Sequence, residues 1–104
     1  MIRVRFQTAC GQLIGFHLSG HAGAGDYGQD IVCAAVSSAA YMTANTVTEI
    51  VGAAADITVD DGLMELTVTD RIPACQDILS GFQLHIQALQ EQYPQRVHLM
   101  NTEV

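Results

Sequence analysis

The chain contains no lysine. Its only full cations are Arg3, Arg5, Arg71 and Arg96, set against eleven carboxylate residues for a net charge of −7. Proteins that hold nucleic acid displace counterions from phosphate with clustered Lys and Arg. Without such a cluster, neither direct nucleic-acid binding nor attachment to a membrane is expected, and a basic protein partner suits the charge better. Solubility alone is the simpler use of the same excess. An even cysteine set is also lacking: Cys10, Cys33 and Cys75 form no C-x-x-C pair. That argues against a disulfide framework and a paired redox motif. The opening Met-Ile-Arg-Val-Arg-Phe alternates where a signal peptide would carry an apolar core, so a reducing cytoplasm is the expected compartment. Repeats, linkers and low-complexity stretches are missing too. At 104 residues, the sequence has room for one domain, 1–104, and none for a separate cofactor lobe. No cofactor is expected.

What is present is apolar. With 49% hydrophobic residues, 14% charged and a mean hydropathy of +0.23, the chain is not disordered. A domain this small buries only about 60–68% of its unfolded surface, so an apolar surplus points to a homo-oligomer, most simply a homodimer. No charge occurs from Ile31 to Thr48. Ser37, Ser38, Thr43, Asn45, Thr46 and Thr48 interrupt that run, and it is short for a membrane span. A protein helix covered on more than one side is expected there.

The hydrophobic period changes cleanly along the chain. Ile2, Val4 and Phe6 alternate with polar residues, as do Ile14, Phe16 and Leu18, and the turn at Cys10–Gln12 joins the two as a hairpin. A loop with Gly20, Gly23, Gly25 and Gly28 follows. Asp30 is a candidate N-cap for a helix from about Ile31 to Val51, with Gly52 as its stop. Ile57 and Val59, then Met64, Leu66 and Val68, form a second hairpin around Asp61-Gly62. Pro73 opens a helix whose apolar face is Cys75, Ile78, Leu79, Phe82, Ile86 and Leu89. Pro94 ends it, and Val97 and Leu99 mark a last strand. The order ββαββαβ predicts an α+β two-layer sandwich, with two helices on a mixed or mainly antiparallel sheet.

Three constellations carry possible chemistry. Gly23-Ala24-Gly25-Asp26-Tyr27-Gly28 spells G-x-G-x-x-G, but the preceding strand belongs to a hairpin instead of a parallel βαβ unit. The residue where the ribose-binding acid belongs is Glu49, inside the helix, so dinucleotide binding is not expected. His17, His21 and Cys33 are zinc-type ligands without an obvious fourth, so no metal is expected. The strongest set pairs His21, at the exit of the second strand, with Cys33, expected in the helix's first turn. Positive potential at a helix start favours a thiolate, its unpaired N–H groups can hold an oxyanion, and a histidine can exchange the proton. The plain alternative is a small cysteine packed in a helix. Asp30 is either the N-cap or the group that orients His21. Ser37, one turn beyond Cys33, either bonds back to the Cys33 carbonyl or contacts a substrate.

Gly20-His21-Ala22, followed by Gly28-Gln29-Asp30-Ile31-Val32-Cys33-Ala34-Ala35-Val36-Ser37, resembles the signature of the bacterial ribosomal-processing cysteine proteases, the Prp family. The eleven residues from Ala22 to Val32 match the family's spacing between histidine and cysteine. The resemblance extends over nearly the whole chain and implies a single cysteine protease domain. It implies a homodimer that removes a short hydrophobic N-terminal extension from large-subunit ribosomal protein twenty-seven, supporting ribosome assembly. It also implies His21 and Cys33 as the catalytic pair, with Gly20, Asp30 and Ser37 supporting them or binding substrate. A non-catalytic ribosome-assembly or protein-binding module, with Cys33 as a packing residue, is the competing class. A thiol oxidoreductase would require Cys10 or Cys75 to approach Cys33 in space.

Overall fold

The computed structural model describes residues 1–20 and 27–104, with residues 27–30 described by backbone alone. Strands β1 (Ile2–Ala9) and β2 (Gln12–Ser19) form the first hairpin. Its two-residue turn places both Cys10 and Gly11 at positive φ, 52° and 76°. That is the turn geometry whose twist matches the flanking strands. Helix α1 (Tyr27–Asn45) runs on into a π-helical segment at Thr46–Val51. Strands β3 (Ala55–Asp60) and β4 (Leu63–Val68) form the second hairpin. A 3₁₀ turn at Ile72–Cys75 leads into α2 (Gln76–Gln92), and β5 (Val97–Glu103) closes the chain.

The sheet order is β3-β4-β2-β1-β5. Every pairing is antiparallel except β1 with β5, which is parallel because α2 carries the chain back across the sheet. This is the expected α+β sandwich. Val4, Phe6, Phe16, Leu66 and Val97 project from one sheet face into the core, where Val32, Val36, Ala40 and Val47 of the first helix meet Leu79, Phe82 and Ile86 of α2. The other face carries Arg3, Arg5, His17 and Glu65 and is left open. Phe82 lies edge-on to Phe6 and Phe16, with ring centroids 5.4 and 4.8 Å away. Ile31–Val51 is apolar and long enough to cross a membrane by length and composition, yet Val32, Val36, Ala40, Ala44 and Val47 turn one stripe of it into this core.

Two expectations are corrected. Ile14 does not continue the inward face of β2. The register steps from Gln7↔Gly15 to Thr8↔Leu13, leaving Ile14 as the extra residue of a bulge and turning Leu13 inward. The backbone released there is held by Gln76: its Oε1 accepts the Leu13 N–H at 2.9 Å and its Nε2 donates to the Leu13 carbonyl at 2.8 Å. Ile57 and Val59 form the expected hairpin strand but are not covered. They stand 42% and 52% exposed, because β3 lies at the sheet edge beyond the reach of the helices. Secondly, the described part of α1 already includes Tyr27, so Asp30 lies within the helix and is not its N-cap. A glycine in a helix costs only about 1 kcal/mol relative to alanine, so Gly28 does not stop the turn from forming.

The helix end follows the sequence more closely. Thr43, Thr46 and Thr48 donate back to the carbonyls of Ala39, Met42 and Ala44. Such back-bonding loosens a helix, and here it precedes and accompanies the π-helical segment. Gly52 ends it at φ 75°, its N–H donating to the Val47 carbonyl.

Candidate active site

The stripe that anchors α1, Val32, Val36 and Ala40, is immersed in the core. One position further along, Cys33, Ser37 and Tyr41 repeat at the same helical spacing and line the edge of that stripe. They form one wall of a groove of about 150 Å³. Ile2, Leu18 and Gly20 provide its floor, and Val59, Asp60, Gly62, Leu63 and Met64 of the β3–β4 hairpin its far wall. Cys33 is half-buried, packed against the core on one side and bordering the groove on the other. A thiol in that position is held in place while remaining reachable. Among the described residues its lining is mainly apolar, with Asp60 as the carboxylate.

Gly20 is required by the backbone. Its φ is 93°, a conformation that side chains rarely adopt, and a Cβ there would run into the Met1 carbonyl oxygen. Its N–H donates to the Gly62 carbonyl at 3.0 Å, so the end of β2 is tied to the β3–β4 turn. Gly20 thereby fixes the end of β2 at one rim of the groove. His21 itself lies outside the described residues. Asp30 is placed by its backbone in the first turn of α1, and Ser37 is brought into the groove beside Cys33.

The helix start does not serve Cys33 as expected. Cys33 is the seventh residue of α1 and lies in its second turn, about 9 Å along the axis from Tyr27. The field of the helix end falls off within the first turn. The unpaired N–H groups of that turn are therefore set back from the thiol and are not its oxyanion donors in this conformation.

The other cysteines sit elsewhere. Cys10 is exposed at the β1–β2 turn, the far end of the hairpin from Gly20, roughly 25 Å away for strands of this length. Cys75 is fully buried next to Gln76, which grips Leu13 near that same end. Burial pushes the Cys75 thiol pKa up, Arg71 opposes the shift and Asp70 adds to it. Neither residue lines the groove, so a resolving cysteine does not approach Cys33. His17 faces the open side of the sheet, where its Nε2 meets Glu65 Oε1 at 2.9 Å, and the sheet separates it from Cys33. The His17, His21, Cys33 ligand set therefore does not assemble. Sequence reasoning missed Tyr41 and the hairpin wall. Tyr41 was accessible as the next position in the Cys33–Ser37 series, whereas the hairpin wall depends on long-range pairing.

A half-buried cysteine on the second turn of a helix, facing an apolar groove in a two-layer α+β sandwich, defines a small thiol-bearing site. The family described as cysteine protease Prp matches residues 1–98. The chain belongs to that family. It is similar to the essential ribosomal processing protease Prp from S. aureus, solved with a covalently linked product peptide: 28% identity, TM-score 0.88, covering 98% of this chain and 100% of that one. The same S. aureus protease in complex with a substrate peptide aligns at 27% identity and TM-score 0.88, over 98% of this chain and 100% of that one. SMU.848 from Streptococcus mutans aligns at 31% identity and TM-score 0.87, covering 100% of this chain and 96% of that one. No curated protein sequence matches the chain.

Proposed function

We propose that this chain is a cysteine endopeptidase that uses Cys33 and His21 to remove the N-terminal extension of large-subunit ribosomal protein twenty-seven, acting as a cytoplasmic homodimer. The observation that carries this reading is the position of Cys33, held by core packing yet bordering a groove that also takes in Ser37 and Gly20. The similar S. aureus protease has been solved with both substrate and product peptides, which supports a peptide as the substrate here. The net charge of −7 favours a basic client.

His21 accepts the Cys33 thiol proton, and the sulfur forms a bond to the scissile carbonyl carbon while the C=O π pair moves to oxygen. Collapse of that intermediate breaks the C–N bond, and the imidazolium returns its proton to the leaving amine. Water, deprotonated by the same imidazole, then hydrolyses the thioester. Asp30 is assigned the task of orienting His21, and Ser37 a contact with the bound peptide. Cleavage of a synthetic peptide spanning the extension junction tests the reading. Cys33→Ala should abolish cleavage while the protein stays folded, and His21→Ala should reduce it nearly as far. Cleavage retained by Cys33→Ala sinks the assignment.

A further inference from the structure

We infer that the outer edge of β3 is a docking strand that binds an extended peptide by backbone pairing and leads it towards Cys33. The inference rests on the peptidase reading above and specifies how the substrate is held.

Among the described residues, β3 is the terminal strand of the sheet, paired with β4 alone. The two-residue turn makes Asp60 and Leu63 a hydrogen-bonded pair, and the antiparallel alternation extends that phase to Thr58↔Glu65 and Asp56↔Thr67. The Thr69 N–H donating to the Ala54 carbonyl at 2.9 Å keeps the same phase. The N–H and C=O groups of Ala55, Ile57 and Val59 therefore point away from β4, along the open edge.

The side chains of this strand are divided by face. Ile57 and Val59 lie opposite Leu66 and Met64, which are buried on the helix side of the sheet. They share that side but stand 42% and 52% exposed, and Val59 borders the same groove as Tyr41, itself 48% exposed. Asp56, Thr58 and Asp60 occupy the other face. Val59 and Asp60 also line the groove that holds Cys33. Edge strands protect themselves with charged side chains, proline or bulges; β3 has no proline or bulge, and its charges, Asp56 and Asp60, are both acidic, so they deter an acidic partner and not a basic one. A second copy is a poor occupant. An antiparallel pair centred on Thr58 would set Asp56 of one copy against Asp60 of the other, and one centred on Ile57 would leave the two Asp56 carboxylates as diagonal neighbours, in a chain already at −7. The fitting occupant is an extended peptide whose apolar residues recur every second position, with basic or neutral residues between them. Its apolar side chains would lie against Ile57, Val59 and Tyr41, and its cations beside Asp56 and Asp60.

The test uses the Cys33→Ala protein and a fluorescein-labelled peptide spanning the extension junction, with one backbone amide N-methylated at a time. Fluorescence anisotropy should show Kd rising about tenfold at alternate positions and little change at those between them. Ile57→Pro, which removes an outward N–H without touching the β4 ladder, should raise Kd by a similar factor in a protein that still melts cooperatively. A scan without the alternating pattern overturns the docking strand, and if the wild-type protein still cleaves the peptide through Cys33, the peptidase reading stands. Failure of the wild-type protein to cleave the unmethylated peptide removes both. Should Ile57→Pro dissociate the protein in sedimentation while leaving Kd unchanged, the edge is a contact between copies and the proposal falls.

Discussion

The Gly20 N–H donates to the Gly62 carbonyl at 3.0 Å, joining the end of β2 to the β3–β4 turn at the rim of the Cys33 groove. This bond connects the segment that leads to His21 with the hairpin that walls the groove. It requires Gly20 to adopt a φ of 93° close to the Met1 carbonyl.

Gly20→Ala should therefore both destabilise the fold and reduce cleavage. The positive φ alone costs about 1–2 kcal/mol for a residue with a Cβ, and the close approach to Met1 adds to it. Urea denaturation should show a lower midpoint. Peptide cleavage, measured where the variant is still fully folded, should fall as well, because the exit towards His21 is displaced. An unchanged midpoint would contradict the geometry.

The three cysteines should separate by reactivity towards iodoacetamide under native conditions. Cys10 is exposed, Cys33 is half-buried beside the groove and Cys75 is fully buried. Mass spectrometry should find Cys10 and Cys33 alkylated and Cys75 protected until the protein unfolds. Bound peptide should slow labelling of Cys33 alone. If Cys33 labels no faster than Cys75, the packing role of Cys33 is favoured over the nucleophilic one.

Cys75 also makes a prediction about pH. Its folded-state pKa is raised above the ordinary value of 9.0, chiefly by burial, so the unfolded chain loses this proton first. Above about pH 9 the native state binds more protons than the unfolded state, and stability falls as pH rises. Its contribution is fully present below the unfolded pKa and is lost as pH climbs through the folded one. Urea midpoints taken from pH 8 to 10.5 should decline less steeply in Cys75→Ala than in the wild type. Parallel slopes would remove Cys75 as the cause.

Gln76→Ala should cost about 1–3 kcal/mol despite altering a single polar side chain, because it leaves the Leu13 N–H and carbonyl unsatisfied beside the bulge. Its Nε2 also donates to the Ile72 carbonyl at 3.0 Å, so the same change loosens the start of α2. Denaturant titration gives the cost. Hydrogen exchange should report faster opening at Leu13 than at the centre of β2.

The alternation of Ile2, Val4 and Phe6 and the helical spacing of Leu79, Phe82, Ile86 and Leu89 were legible in the chain, because each records which side of a local element is buried. So were both two-residue turns and the glycine stop at Gly52. Ile14 was misread because a bulge changes the phase of a strand and the choice of bulge is made by its partners, β1 and Gln76. The exposure of Ile57 and Val59 was not legible, because alternation reports a face, not whether a helix extends far enough to cover it. The start of α1 at Tyr27 was missed because capping preference marks candidate boundaries only weakly against tertiary packing.

By itself, the sequence determined the order of elements, the family and the pairing of His21 with Cys33 as candidates, since periodicity, turn chemistry and a spaced motif are all local properties. Tertiary structure decided that Cys33 lies in the second turn and not the first. It brought Gly20, Ser37 and the β3–β4 hairpin around one groove, while leaving Cys10 and Cys75 at the far end of the first hairpin. Those placements depend on strand register and sheet order, which arise from contacts between residues distant in the chain.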